Sequence, residues 1–302
     1  MADGVHNPLS ALLIDQLATP EAKEWAAGAL YNLSIDPANR HRLVVDGVHH
    51  GLSALLIDPQ ATAEAKQNAA GALCHLSADP ANRQALVADG VHASLSALLS
   101  DPQATPFAKE CASVVLGNLS RDPANDPILM AAGVHIPLSA LLIDPQATPE
   151  AREYAAGALV NLSVDPANHQ TLLAAGVHNP LSALLGDPQA TAEAKQWAAE
   201  ALYNLSLDPA NHQALVAAGV HNPLSALLSD PQATPKAKEC AAGALGNLSA
   251  DPANHQTLLA AGVHHPLSAL LIDPQATPLA KEGAAGALEN LEPTPRGFCV
   301  IS

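Results

Sequence analysis

The tripeptide Gly-Val-His begins at residues 4, 47, 90, 133, 176, 219 and 262, so a unit of 43 residues is written seven times without an insertion. A unit that short cannot bury its own apolar face. Copies in register must stack and supply each other's core, which makes the chain a repeat array rather than a single globule. The array is assigned to residues 1–292, with units starting at 4, 47, 90, 133, 176, 219 and 262, and an extended tail to 293–302. Ala2, Asp3 and Gly4 match the last residues of a helix in later units. The first unit is therefore expected to lack that helix, leaving either an end-to-end contact surface or a chain whose upstream part is missing.

Each unit reads as three helices. Asp36 before Pro37 opens the first, which Gly47 ends where a left-handed residue is needed. Asn7 and Pro8 open the second, which runs through Leu9, Leu12 and Leu13 to a turn at Asp15. Thr19 and Pro20 open a third and longer helix to about Ser34, with Glu21 in its first turn, where the helix dipole favours negative charge. On this third helix Ala22, Ala26, Ala29, Leu30 and Leu33 form one stripe at helical spacing, expected to pack inward. Glu21, Glu24, Gly28, Tyr31 and Asn32 lie on the facing stripe, with Trp25 at its border.

The net charge of -16 is mostly structural. Asp15, Asp58, Asp101, Asp144, Asp187, Asp230 and Asp273 share one recurring turn position, and Asp36, Asp79, Asp122, Asp165, Asp208 and Asp251 share another. All of these except Asp15 precede proline, where a carboxylate accepts orphan amide protons and proline presets the backbone. An acidic chain of this kind is not expected to bind nucleic acid. Cys74, Cys111, Cys240 and Cys299 show no CxxC pairing, which fits a reducing cytosolic or nuclear compartment. No secretory leader or membrane-length apolar run is present. No phosphate loop, nucleophile elbow or carboxylate dyad supports catalysis, so no enzyme activity and no cofactor are expected. The seven histidines His6, His49, His92, His135, His178, His221 and His264 stand one per unit, about 10 Å apart by helix packing. That is too far for a shared ion, so they are read as satisfied turn histidines with no metal role.

The segments AAGALYNLS and DPANRHRLVVDGVH, with PLSALL as it follows GVHN in the first unit, resemble the armadillo repeat in spacing and in all three segments together, over roughly residues 4–292. The resemblance implies an all-α fold, a right-handed α-solenoid of seven 43-residue three-helix armadillo-type repeats. It also implies a concave groove, lined by the third helices, that binds extended peptides or partner proteins without catalysis. In that family the asparagine of the third helix faces the groove and bonds the backbone of a bound peptide. Asn32, Asn118, Asn161, Asn204, Asn247 and Asn290 hold that place here, and His75 replaces it in the second unit. The residues alone also allow a local tether of the following turn. Four residues earlier, where importin alpha carries groove tryptophans, this chain has Gly28, Gly71, Val114, Gly157, Glu200, Gly243 and Gly286. An importin-like transport adaptor is thus the lesser alternative, as is a fragment of a larger armadillo protein. The recurring glycine suggests close approach by a neighbouring helix or by ligand.

Between units, the third helix varies most at the positions of Glu21, Trp25 and Tyr31. Trp25, Tyr31, Phe107, Tyr154, Trp197 and Tyr203 occupy these positions, which leaves only Phe298 elsewhere among the aromatic residues. Aromatic side chains supply contact area at low entropic cost, so these six, with the asparagine ladder and His75, form the candidate partner-binding set. For Trp25 and Trp197 the alternative is a wedge between third helices. The tail ends Cys299-Val300-Ile301-Ser302, a C-a-a-X pattern that predicts farnesyl on Cys299 and partial membrane attachment of a cytoplasmic protein.

Overall fold

The computed structural model describes residues 4–292. Cys299 and the rest of the tail lie outside the described residues, as do Ala2 and Asp3. The chain divides into two compact units, Met1–Leu162 and Ser163–Ser302. The first carries α1 (His6–Ile14), α2 (Pro20–Ile35), α3 (Pro37–Val45), α4 (Val48–Leu56), α5 (Ala63–Ser77), α6 (Arg83–Ala88), α7 (Val91–Ser100), α8 (Pro106–Leu119), α9 (Asp126–Ala131), α10 (His135–Leu141) and α11 (Pro149–Ser163), whose last residue opens the second unit. The second carries α12 (His169–Ala174), α13 (His178–Gly186), α14 (Ala192–Ser206), α15 (His212–Ala217), α16 (His221–Ser229), α17 (Pro235–Ser249), α18 (His255–Ala260), α19 (His264–Ile272) and α20 (Pro278–Leu291). Among the described residues there is no strand, and no helix is long and apolar enough to cross a membrane.

Helices of the same kind stack in rows. In the first unit α2 packs on α5 and α5 on α8, while α1, α4, α7 and α10 form a parallel row. The second unit repeats this with α14, α17 and α20 in one row and α13, α16 and α19 in the other.

The recurring glycine sets the corner between the first and second helix. Gly47 ends α3 and starts α4 with φ +76°, a left-handed backbone that side chains strain to adopt. Val48 then drops into the core and His49 is buried beside it. The first helix is a continuous α-helix only in α3. In later repeats it begins as one 3₁₀ turn, such as Pro80–Asn82, before α6 takes over. The buried Asn82 ties that turn back by donating to the Leu76 carbonyl at 2.9 Å, and Asp79 accepts from the Ala81 amide at 3.0 Å. The DPAN string thus closes one helix and opens the next.

The third helix is capped by threonine as the sequence suggests, and the same hydroxyl also reaches the preceding repeat. Thr62 Oγ1 accepts from the Ala65 amide at 3.0 Å and donates to Glu24 at 2.6 Å. Thr105 repeats this with Ala108 and Gln67, and Thr234 does so with Ala237 and Gln196. Removing such a cap costs about 1 kcal/mol before the second bond is counted. The turn aspartates bridge repeats too. Asp58 accepts from the Gln60 amide through one oxygen and from Lys23 of α2 through the other, at 2.9 and 2.8 Å. Lys66 with Asp101 and Lys109 with Asp144 are equivalent, and in the second unit Lys195 lies 3.6 Å from Asp230.

The inward stripe is wider than its spacing suggests. In α2, Ala27 and Ser34 are buried together with Ala26 and Leu30, whereas Ala22, Ala29 and Leu33 are half-buried. In α5 the run Ala69–Leu73 is buried on every side, because a third helix with neighbours on both flanks has little free surface. The GVH histidines are satisfied only in part: His6 and His49 pair through Nε2 with Asp46 and Asp89. All lie at or near the start of the second helix, and the Nδ1 atoms of His6, His49, His92, His135, His178, His221 and His264 have no hydrogen-bond partner in the protein.

Burial pushes the imidazoles of His92, His135, His178 and His221 below their ordinary 6.5. The unfolded chain takes up these protons near 6.5 and the folded chain only at lower pH. Their contribution is therefore full above 6.5 and is lost as pH falls. Asp58, Asp101 and Asp144, held below the ordinary 3.8 by their lysine partners, add a second loss on further acidification. The urea midpoint should drop between about pH 7.5 and about pH 5.5 and drop again below about pH 4. A midpoint that stays flat from pH 7.5 to 5.5 would contradict the histidine contribution.

Candidate functional site

The asparagine ladder sits on the third helices, and each described bond runs to the repeat before. Asn118 Nδ2 donates to Ser77 Oγ at 3.1 Å, and Ser77 Oγ passes its proton to the Cys74 carbonyl at 2.9 Å. Asn161 with Ser120, Asn204 with Ser163, Asn247 with Ser206 and Asn290 with Ser249 make the same contact at 2.9–3.2 Å. His75 takes the place chemically as well, with Nδ1 3.0 Å from Ser34 Oγ and its ring stacked on Tyr31 at 5.1 Å. This is neither a free amide nor the local tether the residues alone allow. At Asn161 and Asn290 the amide nitrogen also donates to the Gly117 and Gly246 carbonyls, at 3.3 and 3.4 Å. At Asn118, which is buried, the oxygen is also engaged, by Arg121 at 3.2 Å.

The aromatic residues fall into two kinds. Trp25, Phe107 and Tyr154 stand out into solvent, 77%, 43% and 42% exposed, so Trp25 does not wedge between helices. Trp197 is half-buried. Tyr31 and Tyr203 are half-buried and reach the following third helix. A methyl group on Gly71 would come within 2.7 Å of the Tyr31 ring, and one on Gly243 within 2.8 Å of the Tyr203 ring. At these two repeats the glycine is the seat of a neighbouring tyrosine. Gly157 and Gly286, whose preceding repeats carry Gly117 and Gly246 in the tyrosine place, face open space. The signal was in the sequence: tyrosine in one repeat coincides with glycine 40 residues later.

Three hollows collect most of the candidate residues. Trp25 and Asn32 line one of about 450 Å³ between α2 and α5 with Glu24, Glu64 and Asn68. Tyr31, His75, Phe107 and Tyr154 line one of about 210 Å³ with Glu110, Cys74 and Cys111. In the second unit Tyr203, Asn247 and Asn290 line one of about 430 Å³ with Lys236, Glu239 and Glu282. Asn118, Asn161, Asn204 and Trp197 line none of these three. A larger hollow of about 530 Å³ lies among the turns near Lys238 and Asp273 and contains none of the candidate residues. The Cys111 thiol donates towards Cys74, which raises its own pKa, while burial pushes the Cys240 thiol up to about 12. These are unreactive thiols at neutral pH.

Charge is sorted by position. Every glutamate except Glu292 lies on a third helix, while Lys23, Lys66 and Lys109 of those helices are taken up by turn aspartates and Lys236 pairs with Glu239. The third-helix face is therefore acidic, with aromatic islands.

Stacked three-helix repeats with this register match known structures. No family model matches the sequence, and no curated protein does. Among solved structures, a designed armadillo repeat protein is 27% identical with a TM-score of 0.66, over 80% of this chain and 98% of its own. The fold is of the armadillo-repeat type. A designed armadillo repeat protein in complex with peptide (KR)4 is 25% identical, TM-score 0.65, again over 80% of this chain and 98% of its own. Computationally designed armadillo repeat proteins for modular peptide recognition, also 25% identical, reach a TM-score of 0.68 over the same shares.

The two kinds of armadillo glycine separate in a stability assay. Gly71→Ala must displace the Tyr31 ring and should destabilise by about 1–3 kcal/mol, with recovery when Tyr31 is changed to glycine in the same chain. Gly157→Ala meets nothing and should stabilise by about 1 kcal/mol through helix propensity. Equal effects at the two positions would remove the tyrosine seat as the explanation.

Proposed function

We propose that this armadillo-type chain is a non-catalytic scaffold that binds an extended, cationic segment of a partner protein along its third-helix faces. The observation that carries this reading is the sorting of charge: carboxylates concentrate on the third helices while Lys23, Lys66 and Lys109 beside them are already paired with turn aspartates. A guanidinium or ammonium over the exposed Trp25 ring, between Glu24 and Glu64, gains both charge pairing and a cation–π contact. Asn247 donates one amide proton to Ser206, and an amide has a second donor and an acceptor to offer a peptide backbone. The likeness to a designed armadillo protein in complex with peptide (KR)4 supports the same ligand class. Glycine, rather than tryptophan, at the Gly28 position sets this face apart from an importin groove, so affinity here rests on carboxylates and on aromatic groups at the border.

A fluorescein-labelled (Lys-Arg)4 peptide should bind in an anisotropy titration and weaken at least about tenfold between roughly 50 and 500 mM salt. An acidic peptide of equal length should not bind, and equal binding of both would reject the charge argument. Changing Trp197, Tyr203 and Asn204 together to alanine should abolish capture of the partner while the far-ultraviolet circular dichroism stays close to native. Full binding by that folded variant would remove these residues from the site.

A further inference from the structure

At the start of α4, two histidines and a carboxylate from the next repeat converge. His49 and His50 are adjacent helical residues, which ordinarily point away from each other. Here their rings lie 4.1 Å apart, and both Nε2 atoms turn to the same oxygen of Asp89, at 2.8 and 3.9 Å. One ligand atom from each of the three lies within 4.8 Å of the other two. Neighbouring ligand atoms of a tetrahedral ion sit roughly 3.3 Å apart, so small side-chain rotations bring this set to bonding geometry. The buried His49 fixes one corner, while the side chains of His50 and Asp89, 60% and 39% exposed, leave an open side for water.

Comparison with the equivalent places in this chain shows what is special here. His6 meets Asp46 at 2.7 Å in the same way one repeat earlier. There Asn7 stands where His50 is, and Arg42 on α3 already neutralises the carboxylate. In the second copy the Arg42 place is Ala85, so Asp89 faces imidazoles without that cation. From the third repeat on, the aspartate place holds Ala132, Ala175, Ala218 and Ala261. His264 and His265 repeat the ring pair at 4.0 Å, and among the described residues no carboxylate joins them.

We propose that His49, His50 and Asp89 form a site for a divalent transition-metal ion of the imidazole-preferring class, Zn²⁺ foremost, tying α4 to the end of α6. Two nitrogen donors and one carboxylate suit zinc, copper or nickel and disfavour magnesium and calcium, which take oxygen ligands. The spacing that keeps GVH histidines of different repeats from sharing an ion does not apply here, because both imidazoles come from a single repeat.

The test is calorimetric titration of the full chain, freed of metal, with ZnCl₂ at about pH 7.5, where free imidazole is neutral. His50→Asn and Asp89→Ala install residues that other repeats carry at these places, at Asn7, Asn179 and Asn222 and at Ala132, so both variants keep the fold. The wild-type chain should bind one more Zn²⁺ than Asp89→Ala, and His50→Asn should weaken that ion at least about tenfold. ZnCl₂ should raise the melting temperature of the wild type and not of Asp89→Ala, and MgCl₂ should raise neither. Identical titrations for the wild type and both variants, or no wild-type binding, would overturn the site. Loss in Asp89→Ala with no change in His50→Asn would overturn the three-ligand arrangement.

Discussion

The structure depends on polar groups that no repeat can satisfy alone. A threonine hydroxyl has one proton and two lone pairs. Thr62 uses a lone pair to cap its own helix and the proton to hold Glu24 of the repeat before. Asp58 divides its two oxygens in the same manner between its own turn and Lys23. The asparagine-to-serine contact adds a third bridge deeper in the stack. Each bridge both completes a helix end and fixes the register of its neighbour, so local order and stacking form together.

This sharing accounts for how much was legible. The period, the three helices, the threonine and aspartate caps and the left-handed glycine are local properties, and all could be read from one unit. The partners of Thr62, Asp58 and Asn118 lie 35 to 41 residues away, where the pattern of one unit is silent. The asparagine shows this best. Its side-chain type is compatible with a groove amide, a local tether or a bridge, and only packing selects the last. The buried width of the third helix was underestimated for a related reason: helical spacing describes a helix packed on one side, and α5 is packed on several.

Some of what structure supplied was written as a relation between units rather than as a motif. Tyr31 with Gly71 and Tyr203 with Gly243 are such pairs. The charge sorting is another. Counted over the chain, acidity looks like a uniform property, but the aspartates serve turns and helix caps while the glutamates sit on the third helices, some of them, such as Glu24, held by a threonine of the next repeat. Net charge could not separate these roles, and position within the repeat does.

The core is made of alanine, leucine and valine, with the aromatic residues kept out of it. That has a spectroscopic consequence. Trp25 is already largely in water, so its emission is close to that of an unfolded chain and reports little on the melting of the repeats around it. The indole signal of this protein belongs to its third-helix face. Trp25 will follow what settles there and change little while the backbone comes apart, whereas the half-buried Trp197 passes into water as its repeat melts.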